Sequence, residues 1–146
     1  MRAFRLRGPT ATTPAGARVT LTNAVIHNVA TAFRYENDIE LLRIWNTTLG
    51  LGVPQPFQAA SSGMSGLDVR NLLSIPALTV EASHFSNMQV TTTAFVNAPA
   101  HNYGLAAGSP AIDAGVAIPS VTTDRVGVVR PQGSAYDVGA YERPGS

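Results

Sequence analysis

Apolar and polar residues alternate along most of this chain, and the alternation restarts at regular intervals. Val19-Thr20-Leu21-Thr22-Asn23 has the same inward–outward order as Leu42-Arg43-Ile44-Trp45-Asn46 and Leu67-Asp68-Val69-Arg70-Asn71, and more loosely Thr93-Ala94-Phe95-Val96-Asn97. The four asparagines stand 23, 25 and 26 residues apart. Strict alternation predicts strands with one buried face. Recurrence at this period predicts units too small to bury their own apolar face, which must therefore lean on their neighbours.

The pattern predicts strands over 18–26, 31–35, 39–49, 67–75 and 88–96, with Phe33 and Tyr35 sharing one face of the second. Leu78, Val80 and Ala82 alternate with Thr79, Glu81 and Ser83, which predicts a further strand, while Pro54 and Pro56 predict a turn region and 61–66 a loop. A helix over 38–45 is disfavoured, because Leu41, Leu42, Ile44 and Trp45 would surround it and Thr47-Thr48 would end it badly. Stacking the copies gives two inward columns, Val19/Leu42/Leu67/Thr93 and Leu21/Ile44/Val69/Phe95. The outward columns are Thr20/Arg43/Asp68/Ala94 and Thr22/Trp45/Arg70/Val96. Asn23, Asn46, Asn71 and Asn97 fall where each strand ends. Asparagine tolerates left-handed backbone there, and stacked side chains bond along the ladder, so a structural role is expected for all four.

A coil of about 25 residues carrying two or three short strands is a β-solenoid. With its turns ending "LTN", "IWN" and "VRN", the chain resembles the right-handed parallel β-helix proteins of the pectate-lyase-like superfamily. A sharper resemblance covers residues 95–142. Phe95-Val96-Asn97, Tyr103-Gly104-Leu105, Ser109-Pro110-Ala111-Ile112-Asp113-Ala114-Gly115, Asp124, Gly127, Arg130-Pro131 and Asp137-Val138-Gly139-Ala140-Tyr141-Glu142 are similar to the C-terminal end of secreted bacterial "choice-of-anchor" β-helix proteins. The resemblance implies an all-β fold: a short right-handed parallel β-helix of about four coils ending in a C-terminal capping strap. The divisions expected are an irregular arm over 1–17, coils over 18–102 and the capping segment over 103–146. Arg130 is the cation expected to be drawn inward, clamping the strap by bidentate bonds to one of Asp113, Asp137 or Glu142.

Composition narrows the function. Charged residues make up 13% and the net charge is +1, which gives little general attraction to nucleic acid or anionic lipid. All ten basic residues are arginine, which suits carboxylate recognition and is equally what codon bias produces. The chain has no cysteine, so disulfides and thiolate metal sites are excluded. No apolar run reaches the ~20 residues of a membrane span. The basic start at 1–7 is followed by Gly8-Pro9-Thr10 rather than an apolar stretch, so no secretory signal is expected in this chain, although the resemblance implies an extracellular setting.

The candidate chemistry lies on the outward columns, where Trp45 stands beside Arg43, Arg70 and Asp68. An outward tryptophan stacks on a sugar ring while arginine holds a uronate carboxylate; alternatively the arm or a second subunit covers it. The function expected is a non-catalytic module that binds or scaffolds on polysaccharide, or self-associates through an open coil end. Homo-oligomer formation is expected through the N-terminal coil unless 1–17 cap it. The alternative is a carbohydrate-active enzyme, a lyase or hydrolase, with Asp68 and Arg70 or Glu36 and Glu81 as a reduced site. The resemblance covers only the last coils, so the family's activity is not carried over. No cofactor is expected; Ca²⁺ on Asp113, Asp124 and Asp137 is the alternative to a purely structural cap. His27, His84 and His101 are scattered over turn regions, and Asn46-Thr47-Thr48 fits an N-glycosylation sequon.

Overall fold

The computed structural model describes residues 1–6, 11–12, 16–36, 39–59, 66–78 and 86–145. An N-terminal strand, β1 (Arg2–Leu6), precedes three repeats. The first supplies β2 (Arg18–Thr22), β3 (Val25–Ile26) and β4 (Thr31–Tyr35). The second supplies β5 (Leu41–Trp45), β6 (Thr48–Leu49) and β7 (Gln55–Ala59), and the third β8 (Leu67–Arg70) and β9 (Leu73–Ser74). Then come β10 (Met88–Gln89) and the pair β11 (Phe95–Asn97) and β12 (Asn102–Leu105), with single 3-10 turns at Thr92–Ala94 and Ala98–Ala100. No α-helix occurs among the described residues, so the chain is all-β.

Equivalent strands of successive repeats pair in parallel, giving three sheets ordered β1-β4-β7, β2-β5-β8 and β3-β6-β9-β10, whereas β11 and β12 pair antiparallel. The second sheet has the expected register, with Val19 beside Leu42 beside Leu67, and Leu21 beside Ile44 beside Val69. Leu42, Ile44 and Val69 are fully buried, whereas Val19 and Leu21, on the outermost strand, are only partly covered. Each buried aliphatic contributes on the order of 2 kcal/mol. In the first sheet Phe4, Phe33 and Phe57 stack along the column at centroid distances of 5.6 and 5.4 Å. The third sheet lies between two cores: Ile26 and Leu49 pack into the first cluster, and Val25 and Leu73 into the second.

Several expectations are corrected. Residues 2–6 lie in β1, paired with β4, not in an irregular arm. The continuous strands read over 18–26, 39–49 and 67–75 each break at the asparagine, whose positive φ turns the chain. Pro54 and Pro56 do not keep 55–59 out of a sheet. Among the described residues β7 is an edge strand, where the N–H that Pro56 lacks is not needed by a further neighbour. The fourth copy does not join the ladder: Thr93 and Ala94 lie in a 3-10 turn, and Phe95 and Asn97 pair with β12. Met88 pairs with Leu73, so Ser86 (φ +53°), two residues before β10, occupies the position of Asn71 (φ +54°) two before β9. The boundary drawn at 102/103 falls inside β12. The strand read over 78–83 falls largely on 79–85, outside the described residues, as does His84.

The C-terminal segment does not lie across one end of the stack. It runs out and back along the asparagine corners. Val116 meets Asn71 in the third repeat, and Thr123, Arg125 and Arg130 meet Asn23 in the first. Asp137 then meets Asn46 in the second, and the Gly139 amide donates to Asn71 O. Close approach is needed on the return: at Gly139 (φ +103°) an added Cβ would sit 2.7 Å from Thr48 Oγ1.

Candidate functional site

Strand alternation sets the outward face of the second sheet. The register places Thr22 beside Trp45 beside Arg70, and Thr20 beside Arg43 beside Asp68. The two arginines turn toward the tryptophan rather than outward. Arg43 Cζ lies 5.2 Å and Arg70 Cζ 5.6 Å from the indole centroid, both within cation–π range. Asp68 neighbours Arg43 by register but accepts from Arg70 Nε at 2.9 Å. Trp45 is half-buried, and its Nε1, like Arg43 Nε, is shielded from solvent with no hydrogen-bond acceptor among the described residues. All four expected residues are thus brought together, but the indole is already stacked by guanidinium groups and is not an open platform.

The other carboxylates have different work. Glu36 pairs with Arg5 at 3.9 Å, and Glu81 lies outside the described residues. The tail acids accept backbone amides. Asp124 Oδ1 accepts from Val126 and Val128, and its Oδ2 from Glu142 N. Asp137 accepts from Asp113 N and Arg143 N, and Asp113 from Ala135 N. Among the described residues no three His, Asp or Glu side chains converge as a metal would require.

Arg130 and Glu142 form a buried ion pair at 2.8 Å, with both side chains fully covered. The expected bidentate fork is not what forms. Only one Arg130 nitrogen reaches Glu142; the guanidinium also donates to Asp137 O, Gly139 O and Asn23 Oδ1. Glu142 in turn accepts from Gln132 N and Asp137 N. Burial pushes the Glu142 carboxyl up and the Arg130 guanidinium down, and the Asp137 and Gln132 amides pull the carboxyl partly back.

The asparagines divide. Asn46 and Asn71 are fully buried, and Asn71 Nδ2 donates to Asn46 Oδ1 at 3.3 Å. Burial also closes the Asn46 sequon to glycosylation in the folded chain. Asn97 is exposed, has φ −159°, and only accepts from Ala100 N. Asn87, which the sequence reading passed over, ends the ladder. Its amide donates to Val69 O and accepts from Leu72 N, as a neighbouring backbone would.

No family model, curated protein or solved structure matches this chain. Among the described residues no helix is long and apolar enough to cross a membrane.

Proposed function

We propose that this chain is a short right-handed parallel β-helix module of the pectate-lyase-like kind, ending in a segment like that of the choice-of-anchor proteins, and that it binds an acidic polysaccharide without catalysis. The three-sheet parallel pairing of successive repeats supports the fold reading. The observation that carries the binding reading is the Arg43–Trp45–Arg70 cluster, which gathers two guanidinium groups around one half-buried indole on an outward face. Two cations held together at one place, with the Arg70 side chain partly open to solvent, offer charge-assisted donors to a carboxylate. Arginine forks favour such an anion over a neutral hydroxyl. Because guanidinium groups already stack on the indole, the sugar's carboxylate leads recognition and its apolar face follows. Among the described residues Asp68 pairs with Arg70 and neighbours Arg43 by register, with a carboxylate at neither place, whereas sugar hydrolysis uses a pair.

The single tryptophan makes the test direct. Titration with an oligogalacturonate should change Trp45 fluorescence saturably, and a neutral oligosaccharide should not. Arg43→Ala and Arg70→Ala should each weaken binding by about tenfold, the loss of one charge-assisted bond. An equal response to both sugars, or none to the acidic one, would remove the reading.

Self-association across the β1/β2 end is a second reading, supported by the partial cover on Val19 and Leu21 where Leu42 and Ile44 below them are fully buried. Sedimentation should then show a dimer that Leu21→Asp converts to monomer; a monomeric parent chain would dismiss it.

A further inference from the structure

The hairpin of β11 and β12 is docked on the repeats through a pair of histidines 74 residues apart in sequence. His27 follows β3, and His101 sits at the hairpin's turn with φ +58°. Their rings stack at 4.1 Å between centroids and 15° between planes. Asn28 Nδ2 lies 3.3 Å from His101 Nε2; an amide nitrogen only donates, so Nε2 is the acceptor and Nδ1 carries the proton. His101 Nδ1 then donates to Tyr103 Oη at 3.1 Å, and Oη also accepts from Leu51 N at 2.9 Å. Tyr103 is buried over Gly50, where any Cβ would collide with the phenol. His27 Nδ1 is buried with no hydrogen-bond partner among the described residues.

We propose that this histidine pair is a proton-sensitive clasp that holds the hairpin on the first two repeats at neutral pH and releases it in mild acid. An added proton lands badly. At His27 it places a cation 4.1 Å from a second imidazole, in a ring whose buried Nδ1 meets no acceptor among the described residues. Among the described residues the titratable groups facing the pair are each other and the Tyr103 phenol. Asn28, Gly50 and Leu51 present only neutral groups, and none of these described contacts brings a carboxylate to stabilise a cation. Burial first, and His101 second, hold His27 below its ordinary value. The released chain therefore takes the proton first, and docking, complete above about pH 6.5, weakens as pH falls below it. Release uncovers Phe95, Ala98, Tyr103 and Leu105, four buried members of the second core.

Amide exchange read by NMR, corrected for intrinsic rates, tests this. The Ala106 amide, bonded to Ala94 O, reports the hairpin, and the Ile75 amide, bonded to Leu49 O, reports the repeats. Between pH 7.5 and 5.0 the Ala106 amide should lose about threefold in protection while Ile75 keeps its own. The double variant His27→Phe, His101→Phe retains a stacked pair and should lose this pH dependence. Unchanged Ala106 protection in the parent chain, or His27 titrating at or above 6.5, overturns the clasp whether or not the variant folds. A folded variant with the parental pH response overturns it too.

Discussion

Replacing Arg130 with alanine is expected to cost about 4 kcal/mol, the range for breaking a buried ion pair from one side. In a domain of this size that lowers Tm by roughly 10–20 °C. The guanidinium is fully covered and serves four acceptors, Glu142 Oε2, Asp137 O, Gly139 O and Asn23 Oδ1, so its loss strands a carboxylate and three further oxygens together. Arg130→Lys should recover part of the loss, since a point charge answers Glu142 but cannot fork to the carbonyls. The pH dependence adds an independent check. Burial already lifts the Glu142 carboxyl in the parent chain, and without its cation the carboxyl rises further. A raised acid binds its proton more tightly folded than unfolded, so the variant's stability should fall as pH rises above the ordinary carboxyl range. A Tm within about 3 °C of the parent at pH 7, less than 1 kcal/mol, would show that Arg130 is not the clamp.

Asn71→Ala should be nearly as damaging, at about 3 kcal/mol from two lost bonds to the half-buried tail and an alanine forced into left-handed backbone. Asn71 exchanges a hydrogen bond in each direction with Val116, both at 2.8 Å, and its φ is +54°. Asn71→Gly keeps the backbone freedom and should regain about 1 kcal/mol of the loss. Asn97→Ala should cost about 0.5 kcal/mol or less, because an exposed side chain with one long bond at 3.4 Å is removed. Denaturant melts of the three variants side by side decide this. Equal losses for Asn71 and Asn97 would mean that burial and φ do not separate them.

The second sheet was legible because each of its strands alternates without interruption: Leu42, Ile44 and Val69 are named by period alone, and Thr22, Trp45 and Arg70 follow on the other face. The meeting of Arg43, Arg70 and Trp45 is therefore visible in the residue string, although the arginines' turn onto the ring is not. β7 was hidden by Pro56, whose usual meaning is overridden at a sheet edge. Asn97 imitates a rung because it ends the same short motif. The real continuation, Ser86 and Asn87, comes 15 and 16 residues after Asn71, a much shorter interval than the earlier ones. The path of the tail was least legible. Thr123, Val116 and Asp137 meet the asparagines through backbone atoms, which any residue carries, so no side-chain pattern records the match. The contact of His27 with His101 is likewise a product of how the hairpin docks, not of local sequence.

The out-and-back course of the tail also bears on how the chain matures. Stacked repeats commonly gain and lose structure piece by piece. Here the corner at Asn23 waits for Arg130, 107 residues later, and the corner at Asn46 waits for Asp137. At typical synthesis rates the first corner remains incomplete for roughly 5–20 s after it leaves the ribosome. The early repeats are thus finished only by the tail, and the protein should acquire its stability in a single closing step rather than in increments.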